Sequence, residues 1–121
     1  MRVRNILIMG ALAALMAQPA AAQAIGGRYK VQGTNFDGSP YGGEATITLT
    51  SATTCEIVWT TGVTSSNGIC MRNDNSFAAG YQMGDKIGLV IYKLMADGSL
   101  NGLWTIAGQE GNGTEVLIPL Q

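Results

Sequence analysis

After about residue 24, the chain alternates between short runs rich in Val, Ile, Thr, Tyr and Trp and turn pairs that join Gly to Asp or Asn. Two runs show the period of two that is typical of strands: Ile47 and Leu49 share one face, and so do Glu115 and Leu117. Gly, Asn and Asp close tight turns because they adopt positive φ at low cost. No window has the period of an amphipathic helix. The pattern predicts eight strands, near residues 29–33, 43–50, 56–61, 68–72, 76–83, 86–94, 102–107 and 114–118.

Eight short strands with short links predict an all-β fold, a small antiparallel meander. A meander of this size closes into a barrel or folds into a two-layer sandwich, because either arrangement removes exposed strand edges. We therefore expect a closed or nearly closed barrel, with a two-layer sandwich as the alternative.

The run from Ile87 to Tyr92 departs from the alternation, since it is apolar at nearly every position. A strand that is apolar on both faces is covered on both faces. Two interpretations remain open at this point. The strand forms a homo-oligomer or partner surface, or it is a central strand overlaid by a loop.

The N-terminus has the pattern of an export signal. Arg2 and Arg4 precede an uncharged apolar run, residues 6–16, which is shorter than the ~20 residues needed to span a bilayer. An alanine-rich tail follows, and its small residues suit signal peptidase cleavage after Ala24 or, alternatively, after Ala22. We expect residues 1–24 to be a signal peptide and residues 25–121 to be one domain that is periplasmic or secreted.

The two cysteines of the chain, Cys55 and Cys70, both lie in the predicted mature domain. Cysteines of an exported protein usually pair, because the compartment is oxidising. A two-residue turn centred on Gly62 and Val63 would place the two cysteines directly opposite each other. Facing residues in a non-hydrogen-bonded antiparallel pair are about 4.5 Å apart at Cα, a distance that a disulfide bridges. The spacing predicts a disulfide between neighbouring strands.

The net charge and the amino-acid composition exclude several classes of function. Loss of Arg2 and Arg4 leaves five of the seven basic residues against eight acidic ones, a net charge of −3. Such a chain has no basic face for nucleic acid and no polybasic patch for an anionic membrane. The sequence contains no His, so Ser–His and Cys–His nucleophile pairs are excluded. We expect no enzyme activity, no cofactor and no metal.

Two polar features have simple structural interpretations. Asn35, Asp37 and Ser39 are spaced like oxygen ligands of calcium, but they lack the Gly and the distal Glu of an EF-hand loop, so a hairpin turn is expected. Glu115 lies in a strand, where a carboxylate is less expected than in a turn. We interpret it as an outward-facing, solubilising charge.

A ligand cavity would draw on the aromatic residues, because small barrels either hold one ligand or fill with side chains. The candidate ligand-binding residues are Trp59, Trp104, Tyr41 and Tyr92. The spacings Gly102-x-Trp104 and Asp97-Gly98-x-Leu100-x-Gly102 resemble those of avidin-like and lipocalin-like barrels.

A wider resemblance rests on three groups of residues: Tyr29-x-Val31-x-Gly33-x-Asn35-x-Asp37-Gly38-Ser39-x-Tyr41-x-Gly43; then Ile57, Trp59, Gly62, Gly68 and Tyr92; and finally Gly111-x-Gly113-Thr114-Glu115-x-Leu117. With these, the chain resembles a group of small secreted proteobacterial proteins of unknown function, sometimes labelled fibronectin-binding. The resemblance implies a small β-barrel-like domain and brings no catalytic residues. The cysteine pair is not part of that pattern.

These features together predict an exported, non-enzymatic binding module for an unknown small molecule or protein. The alternative is an envelope interaction or inhibitor protein, similar to the barrel-shaped lysozyme inhibitors.

Overall fold

The computed structural model describes residues 24–120 and shows a closed antiparallel barrel in which each strand pairs with its neighbours in chain order. The predicted signal peptide lies outside the described residues, apart from Ala24. All eight predicted strands are present and the closed barrel is confirmed, whereas the two-layer sandwich is wrong. The strands are β1 (Gly27–Thr34), β2 (Pro40–Leu49), β3 (Thr54–Thr61), β4 (Thr64–Asn73), β5 (Ser76–Met83), β6 (Lys86–Leu94), β7 (Leu100–Ile106) and β8 (Gly113–Pro119).

The barrel closes because β1 pairs with both β2 and β8. Val31 faces Gly43 on one side and Leu117 on the other. Within residues 24–120, no helix is long and apolar enough to cross a membrane.

The two ends of the barrel differ in how they are filled. We call the end with the β2–β3, β4–β5 and β6–β7 links the base, and the opposite end the mouth. The base and middle contain the packed core, in which the largest fully buried side chains are Tyr92, Phe77, Ile57, Leu100, Leu117 and Val31. Ile25 is also buried there, and the Gly26 amide donates to Tyr29 Oη at 2.9 Å.

The cysteine register is confirmed. Thr61 faces Thr64 across a two-residue turn, and the ladder then places Cys55 opposite Cys70. The two cysteines form a disulfide with their Cα atoms 4.9 Å apart. Both side chains are buried inside the barrel, so the bond joins neighbouring strands from the interior.

The apolar strand β6 alternates in the structure, although its composition does not. Val90 and Tyr92 point into the core, while Ile87, Leu89 and Ile91 point outward with exposed fractions of 63%, 61% and 66%. The interpretation of a strand overlaid by a loop is therefore wrong, because these three side chains face solvent.

The segment with calcium-like spacing forms a turn, as predicted. The Ser39 amide and hydroxyl both donate to Asp37 Oδ1, at 2.9 and 2.6 Å, and the Asn35 amide donates to the Ser39 carbonyl. The two hydrogen bonds from Ser39, first that of its hydroxyl and then that of its amide, hold the pKa of Asp37 below its usual value. Ser99 donates to Asp97 Oδ1 in the same way in the β6–β7 link.

Candidate functional site

A cavity of about 300 Å³ lies at the mouth end, above the packed core. Seven of the eight strands, together with the β1–β2 link, contribute to it, and inward-facing aromatic side chains form much of its wall. Its lining residues are Asn35, Tyr41, Trp59, Thr61, Thr64, Ser66, Tyr81, Met83, Val90, Trp104 and Glu115.

Glycines on neighbouring strands position the aromatic rings. A strand glycine leaves room for a ring to lie across the backbone opposite it, which a Cβ would occupy. In four cases a Cβ built on the glycine would be 2.2–2.5 Å from a ring atom of the residue directly opposite. The four pairs are Gly33 with Tyr41, Gly88 with Tyr81, Gly102 with Tyr92, and Gly113 with Trp104.

Trp59 is accommodated by small residues instead. It faces Ala45 on β2 and Ser66 on β4. Its ring packs against that of Tyr81, with the ring centroids 5.2 Å apart and the planes inclined by 59°.

The carboxylate of Glu115 lies at the floor of the cavity, and the residue as a whole is 6% exposed. Tyr41 Oη donates to its Oε1 at 2.7 Å, and Trp59 Nε1 donates to its Oε2 at 2.9 Å. Tyr92 Oη also donates to Oε2, in a short hydrogen bond. The expectation of an outward-facing charge was therefore wrong. Glu115 shares the inward face of β8 with Leu117, and donors from three other strands compensate the carboxylate for its lost water.

The phenols around the carboxylate are held in their protonated form. Burial, and then the negative charge of Glu115, raise the pKa of Tyr92 and of Tyr41 well above the ordinary tyrosine value. The same two causes raise the pKa of Tyr81 to about 12. All three hydroxyls therefore remain hydrogen-bond donors at neutral pH, and Tyr81 Oη donates to the Thr105 carbonyl at 3.2 Å.

Aromatic contacts also define the rim of the cavity. Trp104 Nε1 donates to the Thr114 carbonyl at 3.2 Å, which fixes the indole at the mouth. Phe36, in the β1–β2 link, packs on this indole with ring centroids 4.9 Å apart. Tyr41 meets it edge-on at 6.1 Å.

The structure brings together three of the four predicted ligand-binding residues, since Trp59, Trp104 and Tyr41 all line the cavity. Tyr92 does not line it, but is buried next to Glu115 and supports the carboxylate. The sequence analysis missed Tyr81 as a site residue and assigned Glu115 to the wrong face. The sequence did contain an indication of the correct face, because Glu115 and the apolar Leu117 are two residues apart in a strand and therefore point to the same side.

Among the residues that line the cavity, one carboxylate is available as a potential metal ligand. Within residues 24–120, no group of three or more Cys, Asp or Glu side chains could hold a metal ion. Glu115 is the one acidic or basic residue among the lining residues.

No family model matches the chain, and no curated protein matches it. Solved structures that are similar to this chain include designed barrels. A redesigned β-barrel is similar to this chain with a TM-score of 0.73 at 16% identity, over 85% of this chain and 100% of that one. The redesigned barrel mFAP1, bound to DFHBI, gives a TM-score of 0.69 at 21% identity over 84% of this chain and 100% of that one. A de novo designed fluorescence-activating β-barrel gives 0.63 at 16% identity over 84% and 100%. At these identities the similarity establishes the fold alone.

Proposed function

We propose that the protein is an exported, non-enzymatic binding protein that holds one small organic molecule at the mouth of its barrel. The observation that carries the proposal is the cavity of about 300 Å³, walled by Tyr41, Trp59, Tyr81 and Trp104 and floored by a single carboxylate. Apolar walls with a few placed polar groups are the usual design of a small-molecule site, and this volume is at the lower end of the usual range.

The organisation of the barrel supports this proposal. Core side chains fill the middle of the barrel, and the mouth cavity of about 300 Å³ is larger than the cavity of about 160 Å³ at the base. The glycine–aromatic pairs fix the rings before a ligand arrives, and preorganisation of this kind reduces the entropy lost on binding. The mFAP1 barrel bound to DFHBI supports the view that a barrel of this fold can hold a compact molecule.

Export is part of the proposal. The leader-like N-terminal sequence and the disulfide between Cys55 and Cys70 support a periplasmic or secreted location, because such bonds persist in oxidising compartments. The resemblance to small secreted proteobacterial proteins supports the same location. The non-enzymatic assignment is supported against a glycosidase, because the lining residues supply one carboxylate where glycoside hydrolysis commonly uses two.

The test is an NMR titration of the ¹⁵N-labelled protein with tert-butylbenzene, followed at the two tryptophan indole signals. Ser66→Leu fills the cavity, since Ser66 is buried in its wall, and we expect it to weaken binding at least about tenfold because the ligand loses its space. The matched control is Ser65→Leu on the adjacent, outward-facing position of β4, which should bind like the wild type. Equal binding of tert-butylbenzene by the wild type and Ser66→Leu would contradict a ligand site at the mouth.

A second candidate function is that of an envelope interaction protein, and the outer surface favours it. Ile69 and Met71 on β4 are exposed, as are Leu89 and Ile91 on β6 and Leu103 on β7. The register places these side chains, which belong to three strands, in one apolar patch that extends from β4 across β5 to β7. Exposed apolar patches of this kind mark surfaces that contact another polypeptide.

A further inference from the structure

We propose that the ligand of the mouth cavity is an organic cation, a quaternary or protonated amine attached to a compact apolar body. This inference rests on the proposed small-molecule function and specifies the chemical class of the ligand. It follows from three properties of the cavity: its charge, its remaining hydrogen-bonding capacity and its aromatic walls.

The first property is an uncancelled negative charge. The three groups that donate to Glu115 are two phenols and an indole, all of them neutral. Hydrogen bonds from neutral donors replace the lost hydration of a buried carboxylate but leave its charge in place. No other lining residue carries a formal charge, so the cavity has a net negative potential at its floor.

The second property is the remaining capacity of Oε1. A carboxylate offers about four lone-pair sites. Oε2 accepts from both Trp59 and Tyr92, whereas Tyr41 donates to Oε1. Oε1 can therefore accept one more donor, and a protonated amine in the cavity would supply a charge-assisted hydrogen bond.

The third property is the aromatic wall. The faces of aromatic rings carry negative electrostatic potential and attract cations, and tryptophan does so most strongly. Trp59, Trp104, Tyr41 and Tyr81 all line the cavity. The carboxylate and the ring faces would both repel an anion, whereas both would attract a cation.

The experiment compares three probes of similar shape: phenyltrimethylammonium, its uncharged isostere tert-butylbenzene, and the anion benzenesulfonate. Dissociation constants are measured from the indole N–H signals of the protein expressed from its full sequence. The chain contains two tryptophans, and both line the cavity. We expect phenyltrimethylammonium to bind at least about tenfold more tightly than tert-butylbenzene, and benzenesulfonate to bind most weakly.

The decisive variant is Glu115→Gln, which keeps the size of the side chain and its oxygen acceptor but removes the charge. We expect its preference for phenyltrimethylammonium over tert-butylbenzene to be at least about threefold smaller than that of the wild type, because the charge is lost while the aromatic walls remain. The matched control Glu56→Gln makes the same change on the exposed outer face of β3 and should retain the cation preference.

Each outcome bears on a different part of the proposal. A cation preference in the wild type that is reduced in Glu115→Gln but not in Glu56→Gln supports the inference. Binding of all probes without preference, or a preference that is unchanged in Glu115→Gln, overturns the inference and leaves the small-molecule function standing. Failure of every probe to shift either indole signal overturns both.

A second variant keeps the inference testable if Glu115→Gln does not fold. Trp104→Leu removes one aromatic wall at the partly buried rim and leaves the carboxylate and its three donors in place. We expect this variant to weaken the binding of phenyltrimethylammonium by a factor at least about threefold larger than the factor for tert-butylbenzene. Equal weakening of the binding of the two probes would overturn the inference.

Discussion

At the scale of single residues, Glu115 is the group on which the proposed site depends. Removing a carboxylate from water is costly unless hydrogen bonds replace its hydration. Here two phenols and an indole do so, and the same contacts orient Tyr41 and Trp59 in the cavity wall. One charged residue thus fixes the shape of the cavity and sets its electrostatic potential.

The raised tyrosine pKa values predict a loss of stability at alkaline pH. A tyrosine whose pKa is higher in the folded than in the unfolded state favours folding while it is protonated in both states. For Tyr81, that stability is fully present below the ordinary value of 10.0 and is lost as the pH rises through its folded value of about 12. We expect the free energy of unfolding in urea to fall from about pH 10 to about pH 12, with tyrosinate absorbance lower in the folded than in the unfolded protein.

Glu115→Gln checks the cause of this effect. Because the carboxylate charge contributes to the raised pKa of Tyr41, Tyr81 and Tyr92, its removal should make the alkaline loss of stability shallower. Glu56→Gln, on the outer face, should leave the slope unchanged. Equal slopes for the wild type and Glu115→Gln would show that burial alone raises these pKa values.

At the scale of secondary-structure elements, the glycine–aromatic pairs build the cavity wall. Each pair joins directly opposite residues of two neighbouring strands, so the strand register determines where each ring lies. The glycine removes the side chain that would otherwise push the ring away. The rings therefore fold over the neighbouring strand, and empty volume remains between them at the mouth.

Gly88→Ala tests this arrangement. Its Cβ would lie 2.2 Å from Tyr81 Cζ and 2.5 Å from Oη, so the ring must move and lose its bond to Thr105. We expect a destabilisation of about 1–3 kcal/mol in urea unfolding, as for other overpacked interiors. Gly80→Ala is the matched control, because its Cβ meets only Leu89 Cδ2 at 3.9 Å and points outward. Equal stability of the two variants would contradict the proposed role of Gly88.

At the scale of the whole molecule, the outer apolar patch has the shape of a groove between two ridges. Ile69 and Met71 form one ridge and Leu89 and Ile91 the other, roughly 10 Å apart across two strand spacings. The small residues of β5, Ala78 and Gly80, form the floor between them. A ridge of one molecule could fill the groove of a second copy about a two-fold axis, which is how isologous dimers are built.

We therefore predict a homodimer through this patch. Sedimentation velocity at micromolar concentration should show a dimer for the wild type and a monomer for Ile91→Lys, because the lysine places a charge in the apolar contact. Thr48→Lys adds the same charge on the outer face of β2, away from the patch, and should remain dimeric. A monomeric wild type would instead leave the patch to a different envelope protein, as the second candidate function requires.

The sequence by itself determined the local features of the fold. Gly–Asp and Gly–Asn turns, β-branched runs and period-two alternation are properties of neighbouring residues, so they predicted the eight strands and the meander. The two-residue turn at Gly62 and Val63 likewise predicted the Cys55–Cys70 register, because an antiparallel ladder propagates from its turn. The sequence also predicted three of the aromatic residues that line the mouth cavity, Tyr41, Trp59 and Trp104.

Only the tertiary structure decided between barrel and sandwich, and which face of each strand points inward. In β6 both faces are apolar, so the pattern could not distinguish the core side from the outer patch. For Glu115, charge alone favours the surface. Its inward position depends on donors that lie between 23 and 74 residues away in the chain. The strands and turns of the fold thus follow largely from interactions between residues that are close in the sequence. The site forms only because barrel closure brings distant strands together around one buried charge.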